Sequence, residues 1–543
     1  MDYVTPAGFR DVLSDEACMR ERIARDVQAC FAARGYLPIE TPTLEVMDVM
    51  RAGGRMPGSP FKFFDASGDL LAMRPDVTLQ VARMCATRLA GQPGPFRFRY
   101  MQRVFREAEG RMQAQAREMT QIGVECIGEA GPQADAEVVE LMAEALELAG
   151  ARGCKLALAR VGVLRALLAA CGASAQWTEQ VLAAFHASNF VEVDRLTGEA
   201  AAVPPVFAAA IRALPRIRGG REAVEEVRAL VAPLGCEDGL DDFARTCDLL
   251  AEAGLADRIL VDFSVMSSFD YYTGIVFEAY APELGTPLGS GGRYDNMIGS
   301  YGESRPAAGF AFSLEQAMAA AAAAERSVDD EAARPLRIAV PKGSLNADTV
   351  AALEAAGLDT TGLDDPGRQL HRTPASSTSS CGYRRPRSWR WARIRHLRQG
   401  LAPGSRSRME LVDLARRTRR GGRASRRGGS GPTRYRASDR CTKYPGITAP
   451  TLPAGQEVEI VKLHGNIELA PLTGMAERIV DITATGTTLK ENDLVVVDEV
   501  LSSTARFFSN TCAFRTDARI VQLANTLQRN AEASASPAGE EKE

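Results

Sequence analysis

Apolar residues recur at helical spacing near the start of the chain. Met19, Ile23, Val27 and Phe31 form one stripe of a helix expected over residues 15–34, with Ser14 placed to cap it and Gly35 to stop it. The chain then extends through Tyr36-Leu-Pro-Ile-Glu-Thr-Pro42. Over residues 96–106 the period changes to two, so Phe96, Phe98, Tyr100 and Arg106 share one face of a strand, and residues 118–127 read as its return partner. Gln121 and Glu125, four apart, lie on the same face of that second strand. Arg74-Pro-Asp-Val-Thr78 is a polar turn after an apolar run, and Phe269-Asp-Tyr-Tyr-Thr-Gly-Ile-Val-Phe-Glu278 leads by a loop to Gly289-Ser-Gly-Gly-Arg-Tyr-Asp295.

A second set of patterns begins at Leu336-Arg-Ile-Ala-Val340, a buried strand running into Pro341-Lys-Gly-Ser-Leu345 and a helix over residues 346–356. Residues 458–463 read as a strand, and residues 468–479 as a helix with Leu469, Leu472 and Ala476 on one face. Residues 479–482 read as another strand. That strand ends in Asp481-Ile-Thr-Ala-Thr-Gly-Thr-Thr-Leu489, whose backbone N–H groups and hydroxyls can hold a phosphate while Gly486 allows close approach. Asp481 is placed to accept from ribose hydroxyls. Lys342, at the carboxyl end of a strand, sits where an α/β sheet binds anions.

Composition changes this picture in one place. The 543 residues suffice for roughly three or four domains. No run of 18 or more apolar residues and no basic-then-apolar leader occurs, so a soluble cytoplasmic protein without a membrane partner is expected. Eleven scattered cysteines without a CxxC pair, and four histidines, argue against a disulfide framework or a resident metal site. The net charge of −4 conceals an asymmetry: residues 367–440 hold 21 Arg, no Lys and three acids, a charge of +18. That leaves 44 basic against 66 acidic residues elsewhere. Such a stretch reads either as a basic arm able to bind nucleic acid or as a segment translated out of frame from GC-rich DNA; the absence of Lys favours the second, which makes a nucleic-acid partner unexpected.

The motifs of the first three hundred residues, in their order and spacing, resemble the catalytic core of a class II aminoacyl-tRNA synthetase of the histidyl type. The resemblance implies an antiparallel-sheet core over residues 1–320 and pairing as a homo-oligomer. It implies a histidine pocket of Asp76, Thr78, Arg106, Gln121, Glu125, Tyr271 and Tyr272, with carboxylates for the ammonium and hydrogen-bond partners for the imidazole. Two arginines that the family uses on ATP phosphates are absent: Ser267 and Gln316 stand in their places. No anticodon-binding domain follows. Those departures resemble the regulatory subunit of ATP phosphoribosyltransferase, a synthetase paralogue through which histidine inhibits the enzyme.

The later motifs, with Thr442-Lys-Tyr-Pro445 and Lys462-Leu-His-Gly-Asn-Ile-Glu-Leu-Ala-Pro471, resemble the short catalytic form of ATP phosphoribosyltransferase. The whole is thus expected to be an α/β and α+β multidomain fusion. A linker at 321–335 would lead into a periplasmic-binding-protein-like, two-lobed α/β transferase at 336–366 and 441–530, interrupted by the arginine-rich 367–440. An unstructured tail would occupy 531–543. Met409-Glu-Leu-Val-Asp-Leu414 stands out there as a fragment of the missing lobe. The resemblance implies condensation of ATP with phosphoribosyl pyrophosphate, magnesium accompanying the phosphates. Asp481 would meet the ribose, Thr485, Gly486, Thr487 and Thr488 the 5′-phosphate, and Lys342 further phosphate charge. The alternative is a histidine-binding regulatory protein whose transferase half is inactive.

Overall fold

In the computed structural model the described residues are 5–54, 59–107, 116–198, 203–265, 271–282, 284–326, 336–340, 346–360, 371–372, 379–382, 408–416, 440–442, 460–462, 478–483, 494–504, 507 and 509–535. They fall into two compact units. Met1–Arg334 and Phe508–Val521 contribute to the first, and Pro335–Arg387, Leu401–Phe507 and Gln522–Glu543 to the second.

The strands of the first unit are β1 (Leu37–Pro38), β2 (Leu44–Val46), β3 (Lys62–Phe64), β4 (Leu70–Met73), β5 (Phe96–Phe105), β6 (Glu118–Ile127), β7 (Lys155–Arg160), β8 (Arg218–Gly219), β9 (Ile259–Asp262), β10 (Ile275–Tyr280), β11 (Gly289–Arg293) and β12 (Ala307–Ser313). Nine of them make one sheet in the order β1-β5-β6-β12-β11-β10-β7-β9-β8; β2, β4 and β3 form a small separate sheet. The large sheet is mixed rather than purely antiparallel. Its centre is antiparallel, but β1 runs parallel to β5 and β7 parallel to β9. Parallel pairs need crossovers, and the chain between β7 and β9 supplies one in a long helical excursion.

The two faces of the sheet have different work. Ile122, Val124 and Cys126 of β6 and Phe310 and Phe312 of β12 point into a core covered by the helices Ser14–Ala33, Pro132–Leu148 and Leu240–Glu252. Side chains at alternate positions, among them Phe98, Tyr100, Ile127, Val276 and Tyr280, face the opposite side with the helix Thr78–Thr87. That second face carries the polar residues of the candidate pocket.

The first helix runs Ser14–Ala33 and buries Ile23, Val27 and Phe31 as expected, and Gly35 follows it at φ +83°. Two details differ. Ala17 N–H donates to the Leu13 carbonyl, so hydrogen bonding begins one residue early, Leu13 is the cap and Ser14 lies inside the helix. Met19, at the stripe's edge, is 44 % exposed. The helix Leu314–Arg326 continues into the stretch expected as a linker.

The second unit contains β13 (Leu336–Ala339), β14 (His371–Arg372), β15 (Ser379–Gly382), β16 (Arg408–Arg416), β17 (Arg440–Thr442), β18 (Ile460–Lys462), β19 (Arg478–Thr483) and β20 (Leu494–Thr504). They form sheets ordered β13-β15-β14 and β18-β17-β19-β16-β20. The helix Asn346–Ala355 packs Val350 and Leu353 on Val340. Arg478 and Ile479, the end of the helix expected over residues 468–479, belong to β19, where β-branched Ile479, Val480 and Ile482 favour the strand; the rest of that stretch lies outside the described residues. Within the arginine-rich stretch, β16 pairs with both β19 and β20 and spans Met409–Leu414. A helix continues through Ala535, inside the stretch expected as an unstructured tail.

Candidate functional site

Glu125 occupies the middle of the polar face of β6, opposite Phe98 of β5 and Gly309 of β12. Its carboxyl group is 1 % exposed and takes three hydroxyl donors. Thr78 Oγ1 donates to Oε1 at 2.7 Å and Tyr100 OH to the same oxygen at 3.1 Å, while Tyr294 OH donates to Oε2. The absence of a side chain at Gly309 makes room, since a Cβ there would lie 2.0 Å from Glu125 Oε2. Burial pushes the Glu125 carboxyl up to about 8, a rise the three hydroxyl donors oppose and the nearby Asp76 reinforces.

The turn after β4 brings in the remaining acids and bases. Asp76 is buried, its Oδ1 accepting from Leu79 N–H at 3.4 Å at the start of the helix Thr78–Thr87. Burial raises the Asp76 carboxyl above its usual range, opposed first by the Arg106 guanidinium and then by hydrogen bonds from the Thr78 and Leu79 backbone and the Gln121 side chain. Arg106 lies just beyond β5, where its Nε donates to the Pro75 carbonyl at 2.9 Å. Gln121 Oε1 accepts from Val77 N–H at 3.2 Å, tying β6 to the same turn. Tyr271 and Tyr272 stack in a tilted pair with centroids 4.7 Å apart, and Tyr271 meets Tyr294 edge-on at 5.8 Å.

All seven residues expected to form the pocket therefore lie in one neighbourhood, with two carboxyl groups, one guanidinium and a wall of tyrosines. Such a site presents acceptors to a cation and aromatic faces to a planar ring. Tyr100 and Tyr294 belong to it as well. Tyr294 was within reach of sequence reading: it directly follows the Gly-rich strand β11, where small residues leave space for large rings, and a Cβ at Gly292 would lie 2.6 Å from the Tyr272 ring.

The Gln316 side-chain amide lies against the Pro287 and Leu288 carbonyls, to which its nitrogen donates at 2.9 and 3.1 Å when the amide is assigned to satisfy its partners, a neutral contact where the synthetase resemblance calls for a cation. Ser267 lies outside the described residues, as do Lys342, Thr485, Gly486, Thr487 and Thr488. Asp481 is placed in β19, opposite Val412 of β16.

The family model described as histidyl-tRNA synthetase matches residues 8–317, more than half of the chain. The chain belongs to the histidyl-tRNA synthetase family. A second family, described as ATP phosphoribosyltransferase, matches residues 427–529, so the chain is a fusion of a histidyl-tRNA synthetase-like domain with a phosphoribosyltransferase domain. Among relatives of this synthetase-like domain, the ATP phosphoribosyltransferase regulatory subunit of Moorella thermoacetica is 35 % identical over 317 residues, covering 58 % of this chain and 81 % of that protein. The protein of the same name from Symbiobacterium thermophilum is 34 % identical over 339 residues, covering 61 % and 84 %. A Bacillus halodurans structure described as an ATP phosphoribosyltransferase regulatory subunit/histidyl-tRNA synthetase superposes with a TM-score of 0.55 at 27 % identity, over 66 % of this chain and 91 % of its own. A histidine–tRNA ligase subunit of Alicyclobacillus acidocaldarius gives 0.51 at 31 % identity, over 59 % and 98 %.

Among the described residues no helix is long and apolar enough to cross a membrane.

Proposed function

We propose that this fusion is an ATP phosphoribosyltransferase whose synthetase-like domain senses histidine and restrains the transferase. The observation that carries the reading is the pocket around Glu125: two buried carboxyl groups, Asp76 and Glu125, with one guanidinium, Arg106, in the same chain as a phosphoribosyltransferase domain. The names of the relatives support a role in histidine biosynthesis and in regulating ATP phosphoribosyltransferase. Histidine would place its ammonium against the carboxylates, its carboxylate toward Arg106 and its imidazole among Gln121, Tyr271 and Tyr272.

The transferase would use ATP and phosphoribosyl pyrophosphate, joining N1 of ATP to C1 of the ribose and releasing pyrophosphate through an oxocarbenium-like transition state. Asp481 would hold the ribose hydroxyls, residues 485–488 the 5′-phosphate and Lys342 further phosphate oxygens, in a two-lobed periplasmic-binding-protein-like arrangement over residues 336–530. Magnesium would arrive with the substrate phosphates and neutralise the leaving group. Positioning and electrostatics carry such chemistry without a protein nucleophile. The protein would work in the cytoplasm as a homo-oligomer, and exposed Leu37 of the edge strand β1 and Met101 of the neighbouring β5 supply apolar surface for self-association.

A second reading, a regulatory protein with an inactive transferase half, is favoured by one observation: residues 367–440, where the resemblance calls for most of one transferase lobe, hold 21 Arg and no Lys. The experiment is calorimetric titration of the full chain with histidine, paired with an assay of pyrophosphate release from ATP and phosphoribosyl pyrophosphate. Binding with turnover that histidine suppresses supports the first reading. Binding without turnover supports the second, and absence of binding overturns both.

A further inference from the structure

The short helix Thr511–Thr516 lies within the residues matched by the phosphoribosyltransferase family, yet it packs as part of the first, synthetase-like unit. Asn510 caps it, its Oδ1 accepting from the Cys512 and Ala513 N–H groups at 2.9 and 3.2 Å. Cys512 is fully buried in the apolar cluster on the pocket face of the sheet. Arg515 goes deeper. Its side chain is 6 % exposed, and its Nε donates to Asp262 Oδ2 at 2.9 Å, its Nη1 to Glu278 Oε2 at 3.3 Å and to Tyr280 OH, and its Nη2 to Ser264 Oγ at 3.2 Å.

These acceptors belong to the synthetase-like domain. Asp262 ends β9 and is wholly buried, and its other oxygen takes the Ser264 N–H at 2.9 Å and hydroxyl at 2.5 Å. Arg218 reaches Asp262 Oδ2 at 3.3 Å and lies 3.9 Å from the ring centroid of Phe514. Burial works against the Asp262 charge, but Arg218, Arg515 and Ser264 hold its carboxyl down to about 2. A planar fork satisfied on three nitrogens is specific for arginine; an ammonium could not reach the same four acceptors.

We propose that Asn510–Thr516 is a docking element by which the phosphoribosyltransferase portion of the chain engages the synthetase-like domain, Arg515 being the key and Asp262, Ser264, Glu278 and Tyr280 the socket. The partner such a socket fits is a capped helical turn carrying a buried arginine one turn in, with an aromatic residue beside it to cover Arg218. Glu278 and Tyr280 stand on the same strand that Tyr271 and Tyr272 lead into, so the socket and the candidate pocket share a structural element.

The test is amide hydrogen exchange of the full-length chain with Arg515→Met, which keeps the aliphatic stem and removes the fork. Loss of charged hydrogen bonds predicts exchange in residues 511–516 faster by roughly tenfold or more, with residues 118–127 of β6 unchanged as the control for folding. A labelled synthetic peptide of residues 509–517 added to that variant should bind, and the same peptide with Met at the arginine position should not. Unchanged exchange in 511–516, or peptide binding indifferent to the arginine, overturns the proposal. If the Met variant does not fold, Arg515→Lys takes its place with the same two readings.

Discussion

Thr78 Oγ1 donates to Glu125 Oε1 across 2.7 Å, joining the first residue of the helix Thr78–Thr87 to the middle of β6. The bond orients the carboxyl group at the floor of the pocket. Thr78→Val keeps the shape and removes the donor, leaving Tyr100 as the remaining donor to that oxygen. The expected cost is about 1–3 kcal/mol in stability, from an under-satisfied buried acceptor. Thermal denaturation would measure that loss, and calorimetry an accompanying fall in histidine affinity of about tenfold. Equal affinity in the variant would remove Thr78 from the binding machinery.

Glu125 also ties stability to pH. Its folded value, about 8, lies above the ordinary 4.5. The folded state therefore holds a proton that the unfolded chain releases, and the contribution is fully present below about pH 4.5 and lost as pH rises through about 8. Within that window stability should fall by up to about 1.4 kcal/mol per pH unit from this group. Asp76 and Asp135 are raised by burial too and add slope of the same sign. Glu125→Gln should flatten the melting-temperature profile between pH 5 and 8 without abolishing it; an identical slope in wild type and variant would refute the assignment.

Gly309→Ala tests the space that the carboxyl group needs. The added Cβ would stand 2.0 Å from Glu125 Oε2 and 2.5 Å from the Val124 carbonyl, in the centre of the sheet where neither strand can retreat cheaply. Overpacking of this kind costs about 1–3 kcal/mol. The displaced carboxyl should also weaken histidine binding beyond what the stability loss explains, which denaturant titration and calorimetry on the same sample would separate.

The strand over residues 96–106 was legible nearly to the residue because alternation favours one register that buries the apolar set, and residues 118–127 were legible as its return partner although that strand is buried on both faces. The seven pocket residues were legible through resemblance and through the shared face of Gln121 and Glu125. Ser14 misled because a serine before a helical stripe is a cap only when the backbone turns there, and the Leu13 carbonyl already accepts from Ala17. Tyr100 was read only as sharing a strand face with Phe96, Phe98 and Arg106; only the fold reveals that its hydroxyl meets Glu125. Arg515 gave no local signal at all, since Asp262 and Tyr280 lie 253 and 235 residues away along the chain. In the later half, Met409–Leu414 stood out against the compositional break at residues 367–440, but its pairing as β16 with both β19 and β20 is a long-range relation that the sequence does not display.

Histidine binding should release a proton near neutral pH. In the ligand-free pocket, burial and Asp76 keep Glu125 largely protonated below about 8. An ammonium or imidazolium placed against the carboxyl group favours its ionised form and draws its value down, because an opposite charge within a few ångströms of a buried acid outweighs the remaining desolvation. The proton leaves to the buffer. Calorimetry at pH 7 in buffers of different ionisation enthalpy should therefore give a binding heat that varies linearly with that enthalpy, with a slope signifying net release of a fraction of one proton or more. Glu125→Gln, which cannot ionise, should abolish that release even where weakened binding persists. Release of the same size from the Gln variant would place the titrating group elsewhere, Asp76 first, and would leave Glu125 as a neutral hydrogen-bond partner of its three hydroxyl donors.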